Sequence, residues 1–179
     1  MLVKDFIEGD IIQKHRGIIG IRKLLSDEDN PLINEVIDAR ILPYLMEISK
    51  QQEYPHMQLE SIWSLTNLGS GSTEQCQLLV EEGAIPLSVQ LLRGDNSIIV
   101  EKAIWLVGQI AADQPILRDL LIEEGAIGNL LSVLKGENGS KKSIISNACW
   151  ALSNLCRGMP LPANDLVLPA VEYLCSVIS

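Results

Sequence analysis

A tryptophan followed four residues later by an amide side chain occurs three times in this chain. Trp63 precedes Asn67, Trp105 precedes Gln109 and Trp150 precedes Asn154, at spacings of 42 and 45 residues. A second phrase keeps step: Glu81-Glu82-Gly83-Ala84-Ile85-Pro86 returns 42 residues on as Glu123-Glu124-Gly125-Ala126-Ile127-Gly128, and Asp38-Ala39-Arg40-Ile41-Leu42-Pro43 is a weaker earlier copy. Units repeated at this length bury their apolar faces only against their neighbours, so the core must run from one unit into the next. Composition adds that only 4% of the 179 residues are aromatic while 47% are hydrophobic. The core is therefore built from Leu, Ile, Val and Ala, the profile of stacked helices.

Punctuation locates the helices within a unit. Ser72 or Thr73 can cap a short helix reaching about Glu82, which Gly83 ends. A second helix follows from Ile85 to Leu92, entered through Pro86 in its first turn, and after the turn Arg93-Gly94-Asp95-Asn96 a long third helix spans 97–112. Three helices per unit favour the armadillo over the HEAT arrangement. The expected fold is all-α, an armadillo-repeat right-handed α-solenoid with full repeats over 31–70, 72–112 and 114–157. Partial repeats flank them: a lone third helix over 10–25, and two helices of an incomplete unit over 162–179. An uncapped end bearing Val171, Leu174 and Val177 leaves apolar surface uncovered, which suggests a fragment, a short isoform or self-association.

Other function classes are disfavoured. With 23 acidic against 14 basic residues the net charge is −9, which argues against nucleic acid and for a cationic partner. No apolar run approaches the ~20 residues of a bilayer span, and residues 1–10 lack a secretory layout; a soluble, intracellular chain is expected. Cys76, Cys149, Cys156 and Cys175 form no Cys-x-x-Cys pair, and with only His15 and His56 no metal cluster or cofactor site is expected. No nucleophile and base can be paired, so the chain is read as a non-enzyme.

Residues four apart share one helix face, which sets each Trp beside its amide. Three residues earlier the same stripe carries Glu60, Lys102 and Asn147, while a separate apolar stripe (Ile62, Leu65, Leu68; Ile104, Val107, Ile110; Cys149, Leu152, Leu155) faces the core. The Trp stripe then reads as a binding face. Parallel indoles would form slots for the stems of Lys or Arg through cation–π contacts, and the amides would hold an extended peptide main chain. The alternative is that the Trp residues are wedges between successive repeats.

Trp63-Ser-Leu-Thr-Asn67-Leu-Gly-Ser-Gly71-Ser-Thr-Glu-Gln75 and Asn147-Ala-Cys-Trp150-Ala-Leu-Ser-Asn154-Leu-Cys-Arg-Gly158 resemble importin-α, the armadillo adaptor for proteins with basic nuclear-localisation signals. The likeness runs from Arg22-Lys-Leu-Leu-Ser26 onward and implies a segment from the end of the first repeat to part of the fifth. It implies that Trp63, Trp105 and Trp150 are groove tryptophans and that Asn67 and Asn154 hold the ligand backbone. Ser70 and Gly71 would meet the principal Lys, Asp113 would pair with it, and Asn147 would add a polar contact. Three departures stand out: Gln109 replaces Asn, Cys76 replaces Thr, and Lys102 sets a positive charge beside Trp105, which predicts weaker binding with the middle slot least used. The implied partners are basic signal peptides, with importin-β only if a longer form carries a basic arm. An armadillo scaffold for another extended peptide, or a relative with a weakened groove, remain as alternatives.

Overall fold

The structure, a computed structural model, describes residues 2–27, 29–136 and 141–178, and among them every regular element is helical. The chain divides into two compact units, 1–84 and 85–179.

In the first unit α1 (Leu2–Glu8), absent from the sequence reading, lies against α2 (Ile11–Leu25). Asp10 caps α2 by accepting from the backbone N–H groups of Ile12 and Gln13, while the Gln13 side chain reciprocates to the Asp10 N–H. Two short helices, α3 (Ile33–Asp38) and α4 (Leu42–Ser49), lead to the long α5 (Pro55–Gly69), followed by α6 (Thr73–Glu81). Helix α5 packs on both α2 and α4. Ile18, Ile21 and Leu45 meet Ile62, Leu65 and Leu68 in a core at most 1% exposed, each such side chain contributing about 1.5–3 kcal/mol by leaving water. The polar groups buried with them are satisfied: the Gln58 amide donates to the Ser49 carbonyl, and the Ser61 hydroxyl to that of Leu45. Helix α6 begins in a reciprocal cap between Ser72 and Gln75 and ends before Gly83, whose φ of +94° opens a left-handed turn that a side chain would strain.

Helix α7 (Ala84–Leu91) starts at the unit boundary. Within the second unit the long α8 (Ser97–Asp113), capped by Asn96, and the long α11 (Lys142–Cys156) form the main helix pair, with α9 (Pro115–Glu123) and α10 (Ala126–Lys135) between them in the chain. Ile104, Val107, Ile110, Leu152 and Leu155 are fully buried. Cys149 is half-buried, and burial pushes the thiols of Cys149 and Cys156 above the ordinary cysteine range, away from thiolate character.

The carboxy-terminal segment departs from expectation. Instead of two helices, 164–178 is one helix, α12 (Asn164–Ile178), continuous through Pro169. Proline removes a single N–H early in this helix, and Val167 and Ala170, both buried on α12, anchor it beside α10 and α11. The opposite face leaves Leu166, Leu168 and Val171 exposed.

Candidate functional site

The residues singled out by the Trp repeat are best described unit by unit. In the second unit, Trp105 on α8 and Trp150 on α11 are 42% and 38% exposed. Their ring centroids lie 5.9 Å apart with planes tilted by 46°. This corrects the expected parallel slot, because an aliphatic stem needs van der Waals clearance on both sides, and rings in contact leave none. The pair instead forms one continuous aromatic surface. Gly108, one turn beyond Trp105, makes that contact possible: a Cβ there would lie 2.1 Å from Trp150 Cζ3. Trp150 is thus both exposed and wedged against the preceding long helix.

The Gly108 seat is testable. Gly108→Ala should tilt the Trp150 indole away, lowering stability by about 1–3 kcal/mol as overpacking does elsewhere, with a change in the Trp150 indole N–H resonance. An unaltered resonance and melting temperature would show that the ring needs no such seat.

Polar members of the stripe are largely engaged within the protein. Asn154 is 2% exposed, and its amide donates to the Gly108 carbonyl at 3.0 Å. The expected hold on a ligand backbone is thereby corrected to a clamp between α11 and α8. Asn147 donates to Glu101 at 3.2 Å. Gln109 and Lys102 are half-buried on α8. Asp113, the last residue of α8, lines a cavity of about 280 Å³ with Gln114, Pro115, Arg118, Arg157 and Gly158.

Arg118, which the sequence reading passed over, is 1% exposed. Its Nη1 donates to the Arg157 carbonyl at 2.7 Å and its Nε to Asp119 at 2.9 Å. Nη2 lies 2.8 Å from the same Asp119 oxygen but lacks the alignment of a hydrogen bond, so only the ion pair serves it. A buried guanidinium beside Asp113 keeps this end of α8 electrostatically mixed rather than simply acidic. The only advance signal was its position on the apolar side of α9, between Leu117 and Leu121.

In the first unit, Trp63 is half-buried, and the Arg22 guanidinium lies over it, 4.6 Å from the ring centroid. Glu60, one turn earlier on α5, accepts from Arg22 Nε at 2.7 Å. Asn67 donates to the Ser26 hydroxyl at 2.8 Å, and that hydroxyl donates to the Arg22 carbonyl. Ser70 is exposed with its hydroxyl on the Asn67 carbonyl, while Gly71 is half-buried, closely covered by Gln75 and Ile33. Cys76 is fully buried. Its place in the ligand contact is corrected: it lies three residues before Leu79 on the α6 face that enters the core, out of reach of a ligand ammonium.

Comparison with known proteins identifies this geometry. Residues 114–157 match the Armadillo/beta-catenin-like repeat family. The chain is 44% identical to importin subunit alpha-2 of Arabidopsis thaliana over 86% of its length and 28% of that protein's. It is 41% identical to importin subunit alpha-B of Dictyostelium discoideum over 94% of its length and 32% of that protein's. Among solved structures, a designed armadillo repeat protein in complex with the peptide (KR)4 superposes with a TM-score of 0.83 at 26% identity, covering 99% of this chain and 74% of the designed one. The class is therefore the all-α armadillo-repeat solenoid. Within that class the chain belongs with the importin α-subunits, and it spans about a third of the length of the relatives it matches.

Proposed function

We propose that this chain is a non-catalytic adaptor segment that binds Lys/Arg-rich nuclear-localisation signals as extended peptides for nuclear import. The observation that carries this reading is the exposed Trp105–Trp150 surface on adjacent long helices of a chain with net charge −9. The designed armadillo protein that matches the fold is in complex with a peptide of alternating Lys and Arg. The aromatic surface attracts Lys and Arg through the negative faces of its indoles, and the acidic balance speeds encounter with a basic segment. On this reading the chain works in the cytoplasm and nucleus, and importin-β is a partner only of a form that also carries a basic arm. No helix among the described residues is long and apolar enough to cross a membrane. Self-association through the exposed face of α12 is a further expectation of the same reading.

The test is a titration of a Lys/Arg-rich peptide against one of equal length in which Ala and Glu replace the basic residues. Only the basic peptide should bind, and Trp105→Ala should weaken it by about 1–3 kcal/mol without lowering the melting temperature. Trp150→Ala should weaken binding equally but also destabilise the fold, because its ring fills the seat at Gly108. Equal affinity for both peptides would favour a scaffold for some other extended segment. The direct Trp–Trp contact and the buried Asn154 favour a groove weaker than one with open slots; if neither peptide binds, the groove is lost.

A further inference from the structure

We infer that the first unit carries a docking groove for a basic amphipathic helix, formed by the starts of α2 and α5 together with α4. The inference is independent of the basic-peptide reading of the second unit. Two hollows of about 310 and 290 Å³ adjoin here and share Ile11, Tyr54 and Met57 in their linings. Met57 and Ile48 are buried and form the floor, whereas Ile11, Ile12, Tyr44 and Tyr54 stand exposed around it. These walls are held in place. Ile11 and Ile12 open α2 directly behind its Asp10 cap, whose carboxylate accepts the Ile12 N–H at 3.0 Å. Tyr44 stands edge-on to the buried Phe6, with ring centroids 6.4 Å apart at 70°. Large apolar side chains fixed in position and left in water mark an interaction surface, because covering them removes apolar area at little cost in ordering.

The lining narrows the occupant. Its side chains include one carboxamide, Gln51, and every regular element among the described residues is helical, so no strand edge is on offer. An extended chain lying here would leave backbone N–H and C=O groups unpaired against apolar walls. A helix satisfies its own backbone and needs only two apolar side chains a turn apart, one for each hollow. Charge sets the sign of the rest. Glu53 borders one hollow and Glu47 the other; both are exposed, and among the described residues neither forms an ion pair or a side-chain hydrogen bond. Lys14, half-buried, is the single Lys or Arg of the lining, and His15 and His56 beside the first hollow are counted neutral at pH 7. Residues 1–84 hold fourteen acidic and seven basic residues, so this unit carries −7 of the chain's −9. Lys or Arg flanking the apolar anchors of a docked helix would therefore meet carboxylates that have no partner to give up.

The experiment adds a Leu/Lys peptide of about fourteen residues, its leucines spaced to share one helix face, to the full chain and follows the Ile and Met methyl resonances. Those of Ile11, Ile12 and Met57 should shift and saturate, while that of Ile98, exposed on α8, should stay still. A Leu/Glu peptide of the same pattern should bind about tenfold more weakly or worse. Ile12→Ser, at a side chain 66% exposed and so of little weight in the fold, should weaken the Leu/Lys peptide about fivefold to tenfold. Glu47→Gln combined with Glu53→Gln should weaken it about threefold to tenfold at low salt and hardly at all at high salt. Unmoved methyls, equal binding of the Leu/Glu peptide, or an affinity untouched by Ile12→Ser overturns the inference. Displacement by a Lys/Arg octapeptide without leucines would show attraction by charge alone, and methyl shifts that track the concentration of the chain by itself would make a second copy the occupant; either result overturns it as well.

Discussion

Asp113→Lys should nearly abolish binding of a basic peptide, a loss of about 2–5 kcal/mol or at least thirtyfold in Kd. Asp113 ends α8 and lines the cavity beside Arg118 and Arg157. On the proposed reading Asp113, the acidic residue among a cavity lining whose other two charged residues are arginines, would pair with an incoming ammonium. Its replacement by Lys removes the attraction and adds a like charge in a partly buried position, where a charge pair is screened less than at an open surface. Asp113→Asn, which removes the charge but keeps the shape, should lose only part of the affinity and so separates electrostatics from misfolding. Fluorescence anisotropy with a labelled peptide at low and high salt measures both, and the difference between the variants should shrink with salt. Affinity unchanged by Asp113→Lys would take this residue out of the site.

Arg118→Met should lower stability by about 2–4 kcal/mol. Methionine fills much of the same volume, so the cost is chiefly polar: the Arg157 carbonyl loses its donor and Asp119 loses its partner. Asp119 is 46% exposed and can rehydrate, which limits its share. The Arg157 carbonyl is harder to compensate. Gly158, at φ +99°, turns the chain immediately after it, and a Cβ there would come within 3.1 Å of Arg118 Nη1. At roughly 2–4 °C per kcal/mol for a chain of this size, the melting temperature should fall by about 5–15 °C. A transition within a degree of wild type would mean that Arg118 is replaceable by any side chain of its volume.

Features written in local sequence were legible in advance. The Ser72 cap, the Gly83 stop, the boundaries of α8 and the buried stripe of Ile62, Leu65 and Leu68 depend on residues within a turn or two of one another, where capping chemistry and helical period suffice. The partners of the Trp stripe were not legible, because Glu60 with Arg22, Asn67 with Ser26 and Asn154 with Gly108 join residues 38 to 46 positions apart. The polar members of the stripe therefore read as a ligand face, with inter-repeat wedging kept as the alternative for the Trp residues, whereas much of that polar complement holds neighbouring helices together. Cys76 misled for a related reason: its position in the motif suggested a ligand contact, but the rotation of α6 turns it inward. The carboxy-terminal segment misled in the opposite direction: two helices are expected over 162–179, but α12 runs as one helix through Pro169, held by the packing of Val167 and Ala170.

The contact between Trp105 and Trp150 has an optical consequence. Two indoles held at one distance and one tilt share their excited states, so their strong ultraviolet transitions split and give a paired positive and negative band in circular dichroism. That signature belongs to the pair and vanishes when either ring is replaced. A peptide that parts the rings to insert a side chain would erase it, whereas one that lies across both would leave it standing, so an unlabelled sample reports how its ligand is held.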